Sequence, residues 1–80
     1  MRKSLQYIIL KNIYAGKKIS ENDYGITKEE LGEAIEGFIS NGYVTGIDVS
    51  RGWLNNVSEI VCIKPQLTSK GKEYFNSIKQ

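Results

Sequence analysis

The stretch GITKEELGEAIEGFISNGYV, residues 25–44, decides the fold, because it has the form of the second helix of a helix-turn-helix running directly into a β-strand. Leu31, Ile35, Phe38 and Ile39, with Ala34, fall on one side at helical spacing. Glu29, Glu33 and Glu36 share the opposite side, where a helix that enters DNA needs neutral or basic groups. Thr27 and Glu30 form an S/T-x-x-E capping box at its start, and Asn41-Gly42 ends it.

Upstream, Ser4 is placed to cap a first helix that runs to about Ala15 and stops at Gly16. Leu5, Ile8, Ile9 and Ile13 make its inner stripe, while Tyr7, Leu10 and Tyr14 gather on the other side with Lys3 and Lys11. A helix apolar nearly all round is either sandwiched between other elements or used in an oligomer contact, so Tyr7 and Tyr14 are expected either under Tyr74, Phe75 and Ile78 of the last helix or, where that side is open, in a homodimer through this helix. Lys17-Lys18-Ile19 has the length of a short strand, and residues 20–24 suffice for one helical turn.

Downstream the period changes to two. Tyr43, Thr45, Ile47 and Val49 are expected on one face of a strand, and a second strand, Glu59 to Ile63, follows the loop of residues 51–56. Pro65 is expected to stop that strand, after which Thr68 caps a last helix laying Gly71, Tyr74, Phe75 and Ile78 on the core. The order is helix, short turn, helix, long β-hairpin wing, helix: an α+β winged helix-turn-helix, with residues 1–80 as a single domain.

Composition narrows the function classes. The chain has 80 residues, 40% of them hydrophobic and 25% charged, which suits a soluble globular fold with a small core and little room for a deep cleft. Tyr7 to Leu10 is the longest apolar run, far short of a membrane span. The start, Met1-Arg2-Lys3-Ser4-Leu5, resembles a signal peptide until Lys11 interrupts it, and the single Cys62 permits no intrachain disulfide. A cytoplasmic location is expected. The net charge of +2 is unevenly spread: residues 20–37 hold six acids against Lys28 alone, and the basic groups lie toward the two ends.

With no histidine, the side chain best suited to proton transfer near neutral pH is missing, as is the commonest zinc ligand. No phosphate loop, nucleophile elbow or dinucleotide fingerprint is present. Glu29 and Glu33 are one turn apart and could in principle hold a hard cation, but at that spacing a solvated helix face is the far commoner explanation. The sequence therefore points to binding without catalysis, metal or cofactor. Two partner classes follow. Nucleic acid would be met through Arg51, Trp53 and Lys64 on the wing, helped by Lys17, Lys18, Arg2 and Lys3, because three carboxylates on the second helix repel duplex phosphates. A protein partner would use the acidic stripe Glu29, Glu33 and Glu36 together with Tyr7 and Tyr14.

Several local patterns also carry a family resemblance. Tyr7-Ile8-Ile9-Leu10-Lys11 with Gly16, Ser20-Glu21-Asn22-Asp23 with Gly25-Ile26-Thr27, Gly42-Tyr43-Val44 with Gly46, and Leu67-Thr68 with Lys70-Gly71 and Glu73-Tyr74 together resemble the YjcQ family of small bacterial and prophage proteins. The likeness spans nearly the whole chain and is weakest in the hairpin, residues 48–58. It implies a winged-helix fold of uncharacterised function and brings no catalytic or binding residue with it.

Overall fold

The computed structural model describes residues 2–79. Helix α1 (Lys3–Tyr14) leads through a 3₁₀ turn (Glu21–Asp23) to α2 (Lys28–Ser40); strands β1 (Val44–Arg51) and β2 (Val57–Leu67) form an antiparallel hairpin closed by a short tip turn (Trp53–Asn55), and α3 (Ser69–Ser77) follows. Three helices and one two-stranded sheet give the winged-helix-like α+β arrangement the sequence implies.

Local chemistry sets most boundaries. Thr27 Oγ1 accepts from the Glu30 N–H and the Glu30 carboxylate accepts from the Thr27 N–H, closing the expected capping box. A second box, Ser20 with Asp23, starts the 3₁₀ turn. Both long helices end in the same Schellman motif: Gly16 and Gly42 each sit at φ +74°, with Lys17 N–H donating to Asn12 and Tyr43 N–H to Phe38. Helix α1 begins one residue before the expected cap. Arg2, in extended conformation, is its N-cap without a side-chain bond, which leaves Ser4 inside the first turn.

The core joins Ile9, Leu10, Ile13, Ile19, Leu31, Ile35, Phe38, Val44, Ile47, Leu67, Phe75 and Ile78. On α1 the inner stripe is rotated from expectation: Leu10 is fully buried, whereas Ile8 is 46% exposed. Helix α3 causes this. Its Phe75 ring stacks on Tyr7 at 4.8 Å and meets the Tyr14 ring edge-on at 5.9 Å, so the last helix covers Tyr7 and Leu10 as expected, while Tyr14 keeps 57% of its surface exposed. Lys17-Lys18-Ile19 forms no strand; it is a connection that drops Ile19 into the core. Ile39, expected inside, lies at the surface.

The hairpin departs most from simple alternation. Val44 and Ile47 are buried while Thr45 is exposed, because the register slips at Gly46: Thr45 pairs with Gln66, but Ile47 pairs with Cys62. Gly46 has φ +74°, and a β-carbon there would lie 1.8 Å from the Lys64 carbonyl oxygen, so no other residue fits. The same bulge explains why β2 runs through Pro65 to Leu67 instead of stopping. Pro65 falls in the unpaired stretch opposite Gly46, where no ladder bond asks for its missing N–H. Beyond it, Thr68 Oγ1 donates to the Gly42 carbonyl and accepts from the Gly71 N–H, while Thr68 N–H donates to the Tyr43 carbonyl. Gly71 lies so close to that carbonyl that a β-carbon would come within 1.9 Å of its oxygen. The end of α2 and the start of α3 are thus one tied unit.

Candidate binding surfaces

The three glutamates of α2 do not form one stripe. Gly32 lies against the base of the hairpin tip, where a β-carbon would meet Val57 Cγ2 at 2.6 Å, and this close approach brings the tip over the Glu29–Glu36 side of the helix. Arg51 there binds both acids. Its Nε and Nη2 donate to the two oxygens of Glu36 at 2.9 and 2.5 Å, and Nη1 donates to Glu29 at 3.0 Å and to the Asn55 carbonyl at 2.6 Å. The other oxygen of Glu29 accepts from the Val57 N–H at 2.9 Å. One guanidinium therefore fastens the tip turn to the helix.

Its electrostatics follow from these bonds. Glu29 is held below the ordinary carboxylate range first by the Val57 N–H and then by Arg51. Glu36 is lowered by the Arg51 hydrogen bonds, and Arg51 is raised by Glu36 and then Glu29. Two of the three acids, Glu29 and Glu36, thus have a neutralising cation, supplied by the wing and not by a lysine on the helix. Arg51, expected to face phosphates, points its donors at carboxylates, and these are the only ion pairs among the described residues. Glu33 stands apart, exposed and with no polar partner there.

Beyond the clamp the tip projects. Leu54 and Asn55 both have positive φ, 57° and 61°, and Asn55 and Gly52 close the turn through backbone bonds. Trp53 and Leu54 are left 84% and 76% exposed. Trp53 does not fold back onto the sheet.

The remaining basic residues are dispersed. Arg2 and Lys3 lie at one end of α1 and Lys17 and Lys18 beyond the other, with about 18 Å of helix between them. Lys64 is exposed on β2 beside the Gly46 bulge. The structure adds a pair that spacing could not reveal, since its members come from separate helices: Lys72 Nζ lies 5.7 Å over the ring of Tyr14, itself 57% exposed. Tyr7, by contrast, is half-buried in its stack on Phe75.

A groove of about 860 Å3 opens between the N-terminal half of α1 and the other side of α2. Leu5, Ile8, Ile26, Ala34 and Phe38 give it an apolar lining, with Glu30 and Glu33 on the α2 side and Arg2 at the α1 end. Tyr24 closes one end; its hydroxyl accepts from Asn12 Nδ2 at 2.8 Å, and burial raises its pKa. Tyr43 and Tyr74, stacked at 4.5 Å, close the other, with Tyr74 bonded to Gln6. The apolar spacing of α2 showed which residues were hydrophobic; that two helices leave this space between them was not visible in it.

Among the described residues no three potential metal ligands come together, and no helix is long and apolar enough to cross a membrane. Cys62 is a free, half-buried thiol.

Comparison with known proteins places the chain in a family. No family model matches the sequence. An uncharacterised protein of Bacillus subtilis, YjcQ, is 33% identical over 72 residues, covering 89% of this chain and 72% of its relative. The solution NMR structure of Bacillus subtilis YjcQ superposes with a TM-score of 0.68 at 31% identity, covering 91% of this chain and 90% of that one. The chain belongs to the YjcQ family.

Proposed function

We propose that this YjcQ-family chain is a non-enzymatic binding module whose principal contact is with protein, made by Trp53 and Leu54 at the hairpin tip. The observation that carries this is the exposure of two adjacent large apolar side chains, 84% and 76%, on a turn fastened from behind by Arg51. A tryptophan held out on a fastened turn is among the side chains enriched at the energetic centres of protein interfaces. The same clamp weakens the nucleic-acid reading of the wing, because the tip's arginine is already bound to Glu29 and Glu36. A photoreactive residue in place of Leu54, irradiated in cells, tests the proposal. Crosslinks to polypeptide are expected; nuclease-sensitive adducts, or none, overturn it.

A second reading is favoured by a different observation. Lys17, Lys18, Arg2, Lys3 and Lys64 are exposed and have no carboxylate partner among the described residues, and Lys72 lies over the exposed Tyr14. Such groups suit a nucleic-acid backbone with α2 kept out of the groove. Changing Lys17 and Lys18 to Glu is then expected to reduce retardation of a mixed-sequence duplex and to flatten its salt dependence by about 0.9 in log-log slope per lost phosphate contact. No retardation of wild-type protein at low salt rejects it.

A further inference from the structure

We propose that the groove between α1 and α2 seats a basic amphipathic α-helix of a partner protein, whose backbone crosses α2 at Gly37. Gly37 lies in the interior of α2, where glycine is destabilising relative to alanine. Nothing inside the chain requires it: its φ is not in the left-handed region, and a β-carbon there would meet no atom within 4 Å. Gly32, one and a half turns earlier, is glycine because Val57 presses on it. Gly37 lines the groove, so the close approach that favours glycine there comes from outside the chain.

The groove's shape and charge identify the visitor. From Glu30 to Asn41 its α2 wall is about 16 Å long, three turns of helix. Its walls are helices, so an extended peptide would bury backbone groups with no sheet edge to pair them, whereas a helix satisfies its own. Ile8, 46% exposed, Leu5 and Ala34 offer an apolar floor for such a helix's apolar face. Glu33, without a polar partner among the described residues, and Glu30, with one oxygen beyond its capping bond, call for lysine or arginine along the visitor's flank. This surface lies across α2 from the clamp and stands whether or not Trp53 has a partner.

The test uses a synthetic helical peptide of about 14 residues, leucine on one face and lysine on the other, titrated into isotope-labelled protein. Amide shifts centred on Ile8, Ala34 and Gly37 are expected, with binding weakened at least tenfold in Gly37→Leu. Should that variant lose its native spectrum, Glu33→Lys supplies the same reading, since it repels the lysines from an exposed position. The leucine–glutamate counterpart should bind far more weakly, and Trp53→Ala should leave the titration unchanged, which separates this proposal from the tip reading. Any one of four results overturns it: no binding of the lysine peptide, shifts centred on the tip, equal affinity for the acidic peptide, or concentration-dependent shifts at Gly37 without peptide, which assign the groove to a second copy of this chain.

Discussion

The two sides of α2 carry the same kinds of residue and put them to opposite uses. On one, Glu29, Gly32 and Glu36 are closed over by the hairpin, the glycine filled by Val57 and both acids held by Arg51. On the other, Glu30, Glu33 and Gly37 border an open groove, and the glycine has empty space where its side chain would be. A glutamate or a glycine on a helix surface thus has no meaning until the partner across from it is known. The first side is spent on building the fold; the second remains available for something else.

The contrast is broken most severely at Gly32. Gly32→Leu puts a side chain where Val57 already stands, and overpacking of this kind costs about 1 to 3 kcal/mol. Since the tip rests on that contact, the lost stability should be accompanied by shifts at Val57 and Arg51. A denaturant midpoint equal to wild type would show that the hairpin is not seated on α2 in solution.

Arg51→Gln should be next in size. It leaves Glu29 and Glu36 facing one another without their cation and releases the Asn55 carbonyl, so the tip should exchange its amides faster while the α1–α3 side is unaffected. Acid tests the same clamp without mutation. Both carboxylates are held below their ordinary value of 4.5, so the stability they contribute is complete above that pH and is lost as pH falls through their depressed folded values. Thermal midpoints of wild type should therefore fall on acidification below about pH 4.5, and Arg51→Gln should reduce that slope. The slope should not vanish, because the Val57 N–H, the largest influence on Glu29, remains.

What sequence could and could not reveal follows the range of each interaction. The Thr27–Glu30 box, the Gly16 and Gly42 stops and the Thr68 cap involve partners within a turn or so, and all are visible as spacing. The Arg51 clamp joins residues 15 and 22 positions apart, with no periodic pattern to announce it, so α2 looked like an acidic face in want of a partner. Gly46 was visible as a glycine, but its need comes from the Lys64 carbonyl on the other strand, and with it came the shifted phase of β1 and the survival of β2 past Pro65. On α1, the exchange of Ile8 for Leu10 in the core depends on where α3 crosses. Of the residues expected to bind, Trp53 and the lysines stayed at the surface; Arg51, Glu29 and Glu36 were drawn into the fold.

On the open side, substitutions should move stability little and in the favourable direction. Gly37→Ala adds a methyl group to empty space and removes the conformational penalty of glycine in a helix interior, so it should stabilise the free protein by about 0.5 to 1 kcal/mol. The sign is the informative part, because the same class of change at Gly32 has the opposite effect. A loss of stability in Gly37→Ala would mean that α2 is closed on this side in solution.

The smallest effect is expected at Glu33. It follows Glu30 by three residues on the open side of α2, where two like charges are neighbours on the helix surface and repel by about 0.2 to 0.5 kcal/mol in low salt. Glu29 and Glu36, the other acids within a turn, are already neutralised by Arg51 and add little to this repulsion. Glu33→Gln should therefore raise the unfolding midpoint slightly at low ionic strength, and the gain should disappear in high salt as screening removes the repulsion. An increase that survives high salt would have to come from helix propensity instead of charge. A decrease would reveal a cation resting on Glu33 in solution, making it a member of the closed side of α2 and removing the charge on which the groove's preference for a basic helix depends.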